Sequence, residues 1–247
     1  MKLEIQGTPA FYINDWFLGG AYPYEAFQDA IAKAAQGLHP PPTPTPLPEG
    51  VAPYDADPQR PGMTYDGSPT RGEADARLIL VAFDDFKCPE CRQHFEDIEP
   101  MLKSKYLDTG EMREVFKFYA IAAPHAAVAS LCALEQGKFW EFHDLLYEEQ
   151  DAWTDGDNAK MLEYGDRLGL DGALLEACIS EGRYRAQIED EGGLAQQLGI
   201  VSAPSFVLID TQANTGIPIQ GAFTPEQFEE AIQQLLNPPT PEPTPTP

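Results

Sequence analysis

The sequence predicts an α/β fold in which an all-helical segment interrupts a β-sheet. Short apolar runs that suit buried strands stand before and after a long stretch with helical periodicity, and Gly-containing turns divide that stretch. Along the chain the predicted elements follow the order strand, helix, strand, helical block, strand, strand, helix. This order, rather than any single element, defines the fold class.

The first predicted strand is LILVAF at residues 78–83, an uninterrupted apolar run. A helix follows the CPEC motif, because four side chains recur there on one helical face: Phe95, Ile98, Leu102 and Tyr106. Pro100 lies inside this pattern and should kink the helix. Residues 115–119 form the second predicted strand.

The middle of the chain, residues 126–198, has helical patterns divided by turns, and two short strands follow at residues 205–209 and 217–220. The last helix begins with TPEQ at residues 224–227, a capping box with proline at its first helical position. Its buried face is predicted to contain Phe228, Ile232 and Leu235. The complete order is that of a thioredoxin fold with an inserted all-helical domain, which we place at about residues 121–198.

The composition excludes several classes of partner. The chain has 247 residues, of which 43% are hydrophobic, and a formal net charge of -24. Such a polyanion repels nucleic acid and anionic lipid surfaces. The longest apolar run is far shorter than the roughly 20 residues of a membrane-spanning helix, so we expect no membrane insertion. The first residues lack the pattern of a signal peptide.

Two Pro-rich segments, residues 38–50 and 238–247, divide the chain. Proline fixes φ and removes a backbone donor, so the first segment is predicted to be an extended linker and the second a similar tail. Residues 51–237 form one complete domain. Residues 1–37 supply only two strands and a helix, too little to bury a core alone.

A repeat explains residues 1–37. The segment QGTPAFYIND at residues 6–15 returns as VSAPSFVLID at residues 201–210, and a Pro-rich segment follows each copy. We interpret the first copy as a partial C-terminal fragment of a preceding domain of the same fold, so that the native N-terminus is missing here. The apolar side chains of this fragment need a surface to pack against. Two alternatives therefore stay open: the fragment docks on the complete domain, or it is exchanged between chains.

The motif Cys88-Pro89-Glu90-Cys91 carries the predicted chemistry. A C-x-x-C at a helix start after a buried strand is typical of redox sites, and this spacing puts both sulfurs on one helical face. At the helix N-terminus Cys88 faces unpaired N–H groups, which favour its thiolate. Cys88 is therefore the expected nucleophile, and the more buried Cys91 the resolving thiol.

Two other interpretations of this motif compete with the redox site. A zinc site would need more ligands, and Cys132 and Cys178 stand alone without a second C-x-x-C, so we expect no metal. A purely structural Cys88–Cys91 disulfide is geometrically possible, but such a bond rarely lies at a helix start after a core strand.

These residues resemble the DsbA-like thiol:disulfide oxidoreductases of the thioredoxin superfamily. The resemblance covers almost all of residues 67–236 and rests on FDDFKCPEC, EQGKFWEFHDLLY, LEACISEGRY and LGIVSAPSFVLID. It implies a cis-proline loop at Pro204 beside the cysteines, with the backbone of Ala203 offered to an extended substrate. It also implies supporting residues around the cysteines: Phe86, Pro89 and Glu90.

The sequence departs from the family at three places. Many members carry a buried acid six residues before the first cysteine, where this chain has Ala82. Asp84 or Asp85 could replace that acid, although we favour their interpretation as surface-loop aspartates. Ala203 is smaller than the usual residue before the cis-proline. Glu90 stands where the strongest oxidants carry histidine, and its carboxylate opposes a thiolate, so we expect a less oxidising disulfide.

The helical segment contains further candidates. Some family members join two of these helices by a second disulfide, which implies a Cys132–Cys178 bond; two buried free thiols are the alternative. We interpret His143 as structural or capping and His94 as solvated. Three aromatic residues are expected in the core rather than in a peptide groove: Phe139, Trp140 and Phe142.

The expected function is disulfide exchange with unfolded or extended protein substrates, without a cofactor. A thioredoxin-like reductase and a non-catalytic peptide-binding module in a tandem array are the alternatives. The resemblance implies a bacterial, extracytoplasmic protein of the periplasm or cell envelope, which the even cysteine count suits, while a cytoplasmic location stays open. A membrane redox partner such as a quinone-linked oxidase or a VKOR-like protein would fit.

Overall fold

The computed structural model describes residues 10–13, 16–19, 28, 31–32, 35, 52, 54–221 and 223–237. Near its start, β1 (Ala10–Ile13) pairs antiparallel with β2 (Trp16–Gly19). This hairpin lies where the repeat predicts two strands. Most of residues 1–37, the linker at 38–50 and the tail at 238–247 lie outside the described residues.

A second sheet contains the other strands of the described part, in the spatial order β3-β5-β4-β6-β7. Only β4 and β5 run parallel; the remaining pairs are antiparallel. The strands are β3 (Thr70–Gly72), β4 (Leu78–Asp84), β5 (Met112–Phe118), β6 (Ser205–Asp210) and β7 (Thr215–Gln220). β4 lies in the centre, and all of its residues are buried.

The first helices follow β4: α1 (Pro89–Asp97), α2 (Glu99–Leu102) and a π-helical turn (Lys103–Leu107). Between β5 and β6 lie α3 (Pro124–Leu134), α4 (Phe139–Glu148), a 3-10 turn (Gln150–Ala152), α5 (Asn158–Arg167), α6 (Gly172–Glu181) and α7 (Arg185–Gln197). The last helix is α8 (Pro225–Leu236). Among the described residues no helix has the length and apolarity needed to cross a membrane.

Local signals account for the ends of several elements. The helix is interrupted at Ile98, between α1 and α2. Pro100 lies in the first turn of α2, which agrees with the predicted kink. The capping box of α8 is confirmed, because Thr224 accepts the N–H of Gln227 while the Gln227 side chain accepts that of Thr224. Strand β3 was not predicted, because its three residues are too few to show a pattern.

Alternate residues of β4 enter different cores, as the pleat of a strand requires. Leu78, Leu80 and Ala82 pack with α2, the π-helical turn after it and α8 on one face. Ile79, Val81 and Phe83 pack on the other face with residues from the end of α7. A third core fills the helical segment and extends to the end of β4 near Phe86.

Candidate active site

The CPEC motif connects the end of β4 to α1. Cys88 is the N-cap of α1, and its Sγ accepts the backbone N–H of Cys91 at 3.3 Å. Pro89 follows in the first turn, where its missing N–H costs nothing. Both cysteines are free thiols; Cys88 is half-buried, whereas Cys91 is 0% exposed. The helix start thus presents one sulfur to solvent and hides the other.

The two thiols have opposite acidities. Hydrogen bonding to the Cys91 side chain is the main cause that lowers the pKa of Cys88, and the Cys91 backbone N–H adds to it. Burial raises the pKa of Cys91. Cys88 is therefore the thiol that ionises first, and Cys91 holds its proton more firmly.

A loop before β6 completes the site. The Ala203–Pro204 peptide bond is cis. The Cys88 thiol donates to the Ala203 carbonyl oxygen at 3.3 Å, so this loop lies directly against the reactive sulfur. The carbonyl of buried Pro204 accepts the N–H of Gly221 at 3.0 Å, which anchors the loop to the end of β7.

Glu90 is the charged side chain of the motif. Its Oε2 lies 3.5 Å from Cys88 Sγ on the exposed first turn of α1. The Glu90 carboxylate raises the pKa of Cys88, whereas the hydrogen bonds to Cys91 lower it. The hydrogen bonds have the larger effect, so the pKa of Cys88 stays below its ordinary value of 9.0.

The interpretation of Asp84 and Asp85 as surface-loop residues was wrong, because they are only 2% and 4% exposed. β4 continues to Asp84, two residues beyond Ala82, so the side chains of Ala82 and Asp84 are on the same face of the sheet, and Asp84 lies near Cys91 at the start of α1. Burial raises the pKa of Asp84 to about 7, while the nearby Cys91 side chain acts in the opposite direction. Asp85 shapes the loop, since its carboxylate accepts the N–H groups of Lys87 at 2.8 Å and Ala122 at 2.6 Å.

Contacts with the helical segment hold the loop that leads into the CPEC motif, and no sequence pattern predicted them. Gln150 donates its amide N–H groups to the carbonyls of Phe86 at 2.9 Å and Cys88 at 3.0 Å. Lys87 donates to the Trp153 carbonyl at 2.5 Å and to that of Gln150. Gln150 lies far along the chain from the motif and belongs to no recognisable pattern, so no sequence signal could have found it.

Other predicted residues lie around this site. The ring of Phe86 is buried and stacks on Phe116, with centroids 5.5 Å apart. The prediction that His94 is solvated was wrong, because its side chain is only 4% exposed. It lies on the face of α1 that packs against Phe206 of β6 and Phe228 of α8. Burial lowers the pKa of His94 to about 4, so the imidazole is neutral near pH 7.

The helical segment holds the remaining candidates. Cys132 and Cys178 form a disulfide that joins α3 to α6, with 5.8 Å between their Cα atoms. His143 is 0% exposed in the middle of α4 and does not cap it. The aromatic residues are confirmed as core: Phe139 and Phe142 are buried, and Trp140 packs on them from a half-buried position.

Comparisons with known proteins agree with this geometry. A family model described as Thioredoxin matches residues 64–234. Disulfide bond formation protein D of Bacillus subtilis (strain 168) is 27% identical over 157 residues, which are 58% of this chain and 68% of that protein. Na(+)/H(+) antiporter NhaA 3 of Salinispora tropica is 31% identical over 141 residues, 55% of this chain but only 21% of the antiporter.

Solved structures show the same fold. Wolbachia pipientis alpha-DsbA1 superposes with a TM-score of 0.62 and 21% sequence identity. The match covers 68% of this chain and 90% of the Wolbachia chain.

Proposed function

Because the chain belongs to the thioredoxin family and is DsbA-like within it, we propose that it exchanges disulfides with protein thiols through Cys88 and Cys91. One observation carries the proposal: a half-buried N-cap thiol of lowered pKa stands one helical turn from a fully buried thiol. This is the arrangement that attack by one sulfur and resolution by the other require.

In the oxidising direction a substrate thiolate attacks Cys88 Sγ of the Cys88–Cys91 disulfide. The bond between the two cysteines breaks, a mixed disulfide forms, and Cys91 leaves with the electron pair. A second substrate thiolate then attacks the substrate sulfur of the mixed disulfide and releases Cys88 as a thiolate. The lowered pKa of Cys88 favours this last step, because a more acidic thiol is a better leaving group.

The substrates would be unfolded or extended protein segments that contain cysteine. The Ala203 carbonyl is 3.3 Å from Cys88 Sγ, so a peptide bonded to Cys88 runs past the backbone of this loop. Backbone hydrogen bonds to Ala203 would hold it without regard to most side chains. Such contacts suit an enzyme with many substrates.

Glu90 favours the reductase as the second candidate. Its carboxylate lies beside Cys88 Sγ and destabilises the thiolate, which makes the disulfide form relatively more stable. A protein of this kind would pass electrons to substrates rather than take them. The membrane redox partner differs accordingly, and we propose an extracytoplasmic location for both cases.

The first experiment equilibrates the protein in graded glutathione buffers and assigns each free thiol by alkylation and mass spectrometry. We expect Cys88 and Cys91 to titrate together, at a potential near about -120 mV for an oxidase or about -270 mV for a reductase. If the pair never forms a disulfide, or never opens, the peptide-binding module replaces the enzyme.

A trapping experiment assigns the two roles. Cys91→Ser should accumulate a mixed disulfide with an oxidised substrate protein through Cys88, because the resolving thiol is gone. Cys88→Ser should accumulate none, since Cys91 is 0% exposed. Trapping by Cys88→Ser would reverse the assignment.

A further inference from the structure

A cluster of charged side chains is buried between β3, β5 and α2. The guanidinium of Arg71 pairs with Glu99 at 2.6 Å and with Glu114 at 2.6 Å. Both carboxylates are almost fully buried, at 8% and 3% exposure. One cation faces two carboxylates, and burial raises the pKa of Glu114. The cluster therefore favours a proton or a second cation nearby.

His143 on α4 lies beside this cluster. Its Nε2 lies 3.6 Å from Glu99 Oε1, and its Nδ1 lies 2.9 Å from Asp144 Oδ1. The Asp144 side chain is 45% exposed, whereas that of His143 is 0% exposed. The imidazole thus stands between a buried carboxylate and one that reaches solvent, with one ring nitrogen facing each.

The rest of the His143 environment is aromatic. Among the described residues, the rings with centroids 4.9–6.1 Å from that of His143 belong to Phe86, Phe95, Phe116, Phe139, Trp140 and Tyr147. Phenylalanine would fill such a cage as well as histidine. By contrast, a carboxylate oxygen lies near each ring nitrogen of His143, an arrangement that phenylalanine could not use.

The same space reaches the buried acid of the active site. Four buried polar atoms of this interior have no hydrogen-bond partner among the described residues: Asp84 Oδ1, His94 Nε2, His143 Nε2 and Tyr147 Oη. Glu99 and His143 act electrostatically on Asp84, and Asp84 and Cys91 act on Tyr147. The groups below Cys91 and the groups around His143 therefore act on one another electrostatically within the buried interior.

We propose that His143 passes protons between the buried Asp84–Cys91 pair and solvent, with Glu99 on its inner side and Asp144 on its outer side. This inference rests on the proposed function and deepens it. His143 would act on the thiol chemistry indirectly, through Asp84, and would contact neither sulfur. It would therefore be a positioning residue rather than a catalytic one.

The proton balance closes over a full cycle. When Cys91 leaves the disulfide as a thiolate, it takes the proton of Asp84. An imidazole that holds its proton at Nε2 then takes a second proton at Nδ1, which the exposed Asp144 carboxylate receives from solvent or buffer and passes on, and it releases the Nε2 proton toward Glu99 and Asp84. When the disulfide re-forms, Cys91 returns its proton along the same route, and the imidazole regains its first tautomer. The only electron donor and acceptor are the substrate thiols and the enzyme disulfide.

Other titratable or charged groups also face this interior and must be held constant in any test. They are Arg71, Asp84, Asp85, Cys91, His94, Glu99, Glu114 and Tyr147. For this reason the test changes the outer end of the route, where the side chain is half-exposed and removal of its charge leaves the buried cluster intact.

The test compares Asp144→Asn with Glu141→Gln, a matched control. Glu141 lies on the same helix with a 46% exposed side chain, and its partner is Lys138 rather than His143. The full-length oxidised proteins are reduced by saturating dithiol, quenched in acid and alkylated at Cys88. In dilute buffer Asp144→Asn should react about 10-fold more slowly than wild type. This loss of rate is smaller than the loss of about 100-fold or more that removal of a direct proton donor typically causes.

Three readouts separate a proton route from a structural role. Added buffer at constant ionic strength should restore the rate of Asp144→Asn, and its solvent deuterium isotope effect should exceed that of the wild type. The equilibrium constant with glutathione should change by no more than about twofold, because a route alters rates and not the end states. His143→Gln, where it folds, should behave in the same way.

The inference is overturned if Asp144→Asn reacts like the wild type and like Glu141→Gln in dilute buffer. A slower reaction that ignores buffer and deuterium would also overturn it, because that result indicates a structural role. Failure of the proposed function looks different: the wild type itself would then show no reversible chemistry at Cys88 and Cys91.

Discussion

At Asp84 burial outweighs the neighbouring Cys91 side chain, and the pKa of the carboxyl rises from its ordinary value of 3.8 to about 7. A carboxyl group with this pKa can both give and take a proton near neutrality. The same burial that makes Asp84 suitable for proton transfer also destabilises the fold once the carboxylate is ionised.

Asp84→Asn should therefore stabilise the protein at high pH. Between pH 3.8 and about 7 the folded carboxyl keeps a proton that the unfolded chain has released, so its contribution to stability falls as pH rises. We expect little change in the free energy of unfolding near pH 4 and a gain of up to about 4 kcal/mol at pH 9. Urea unfolding at the two pH values measures it.

The exposed Asp97 at the end of α1 provides a control, since Asp97→Asn removes a charge without releasing a buried one. Its unfolding free energy should change little at either pH. An Asp84→Asn protein that gains no more at pH 9 than at pH 4 would contradict the prediction. Exchange at Cys91 should nevertheless be slower in Asp84→Asn, because the amide cannot carry the proton.

The helical segment acts as an element that supports the site from one side. Gln150 and Lys87 tie the loop before α1 to the turn after α4, and Asp85 ties it to the start of α3 through Ala122. The disulfide between Cys132 and Cys178 holds α3 against α6. The position of the CPEC loop therefore depends on helices that are distant along the chain.

Removal of that disulfide should lower stability without altering the redox pair. Its cysteines are 46 residues apart, and closing a loop of that length corresponds to about 4 kcal/mol in the chain-entropy model. The double variant Cys132→Ala, Cys178→Ala should lose roughly this amount in guanidinium unfolding, while its Cys88–Cys91 equilibrium with glutathione stays the same. A wild-type protein in strong reductant should show a similar loss; unchanged stability in both would contradict the prediction.

At the scale of the whole molecule, the repeat and the proline-rich segments set the organisation. The predicted complete domain, residues 51–237, contains all four cysteines, and the sheet from β3 to β7 uses only residues after 69. We propose that residues 1–37 belong to a preceding domain and have no part in exchange.

A protein beginning at residue 51 tests this division. We expect its midpoint of thermal unfolding to remain within about 2 °C of the full chain, a difference of less than about 1 kcal/mol. Its glutathione equilibrium should be unchanged. A drop of several degrees would show that the fragment docks on the domain, and a change from dimer to monomer by light scattering would show exchange between chains.

The sequence alone determined the order of the elements from β4 onward and the cysteine motif. Signals within a few residues were enough for this: the apolar run before Cys88, the helical period after Cys91 and the capping box at Thr224. Each of these interactions is local, so it is written in adjacent positions. The repeated segment likewise needed only comparison within the chain.

Only the tertiary structure decided which polar side chains are buried. Asp84, His94 and His143 look like ordinary polar residues in the sequence, yet α1, α4 and the sheet enclose all three. Burial depends on what other elements place over a residue, and no local pattern contains that information. The pKa of Asp84 and the approach of Glu99 to His143 follow from that packing, because each needs partners that the chain brings together from distant segments.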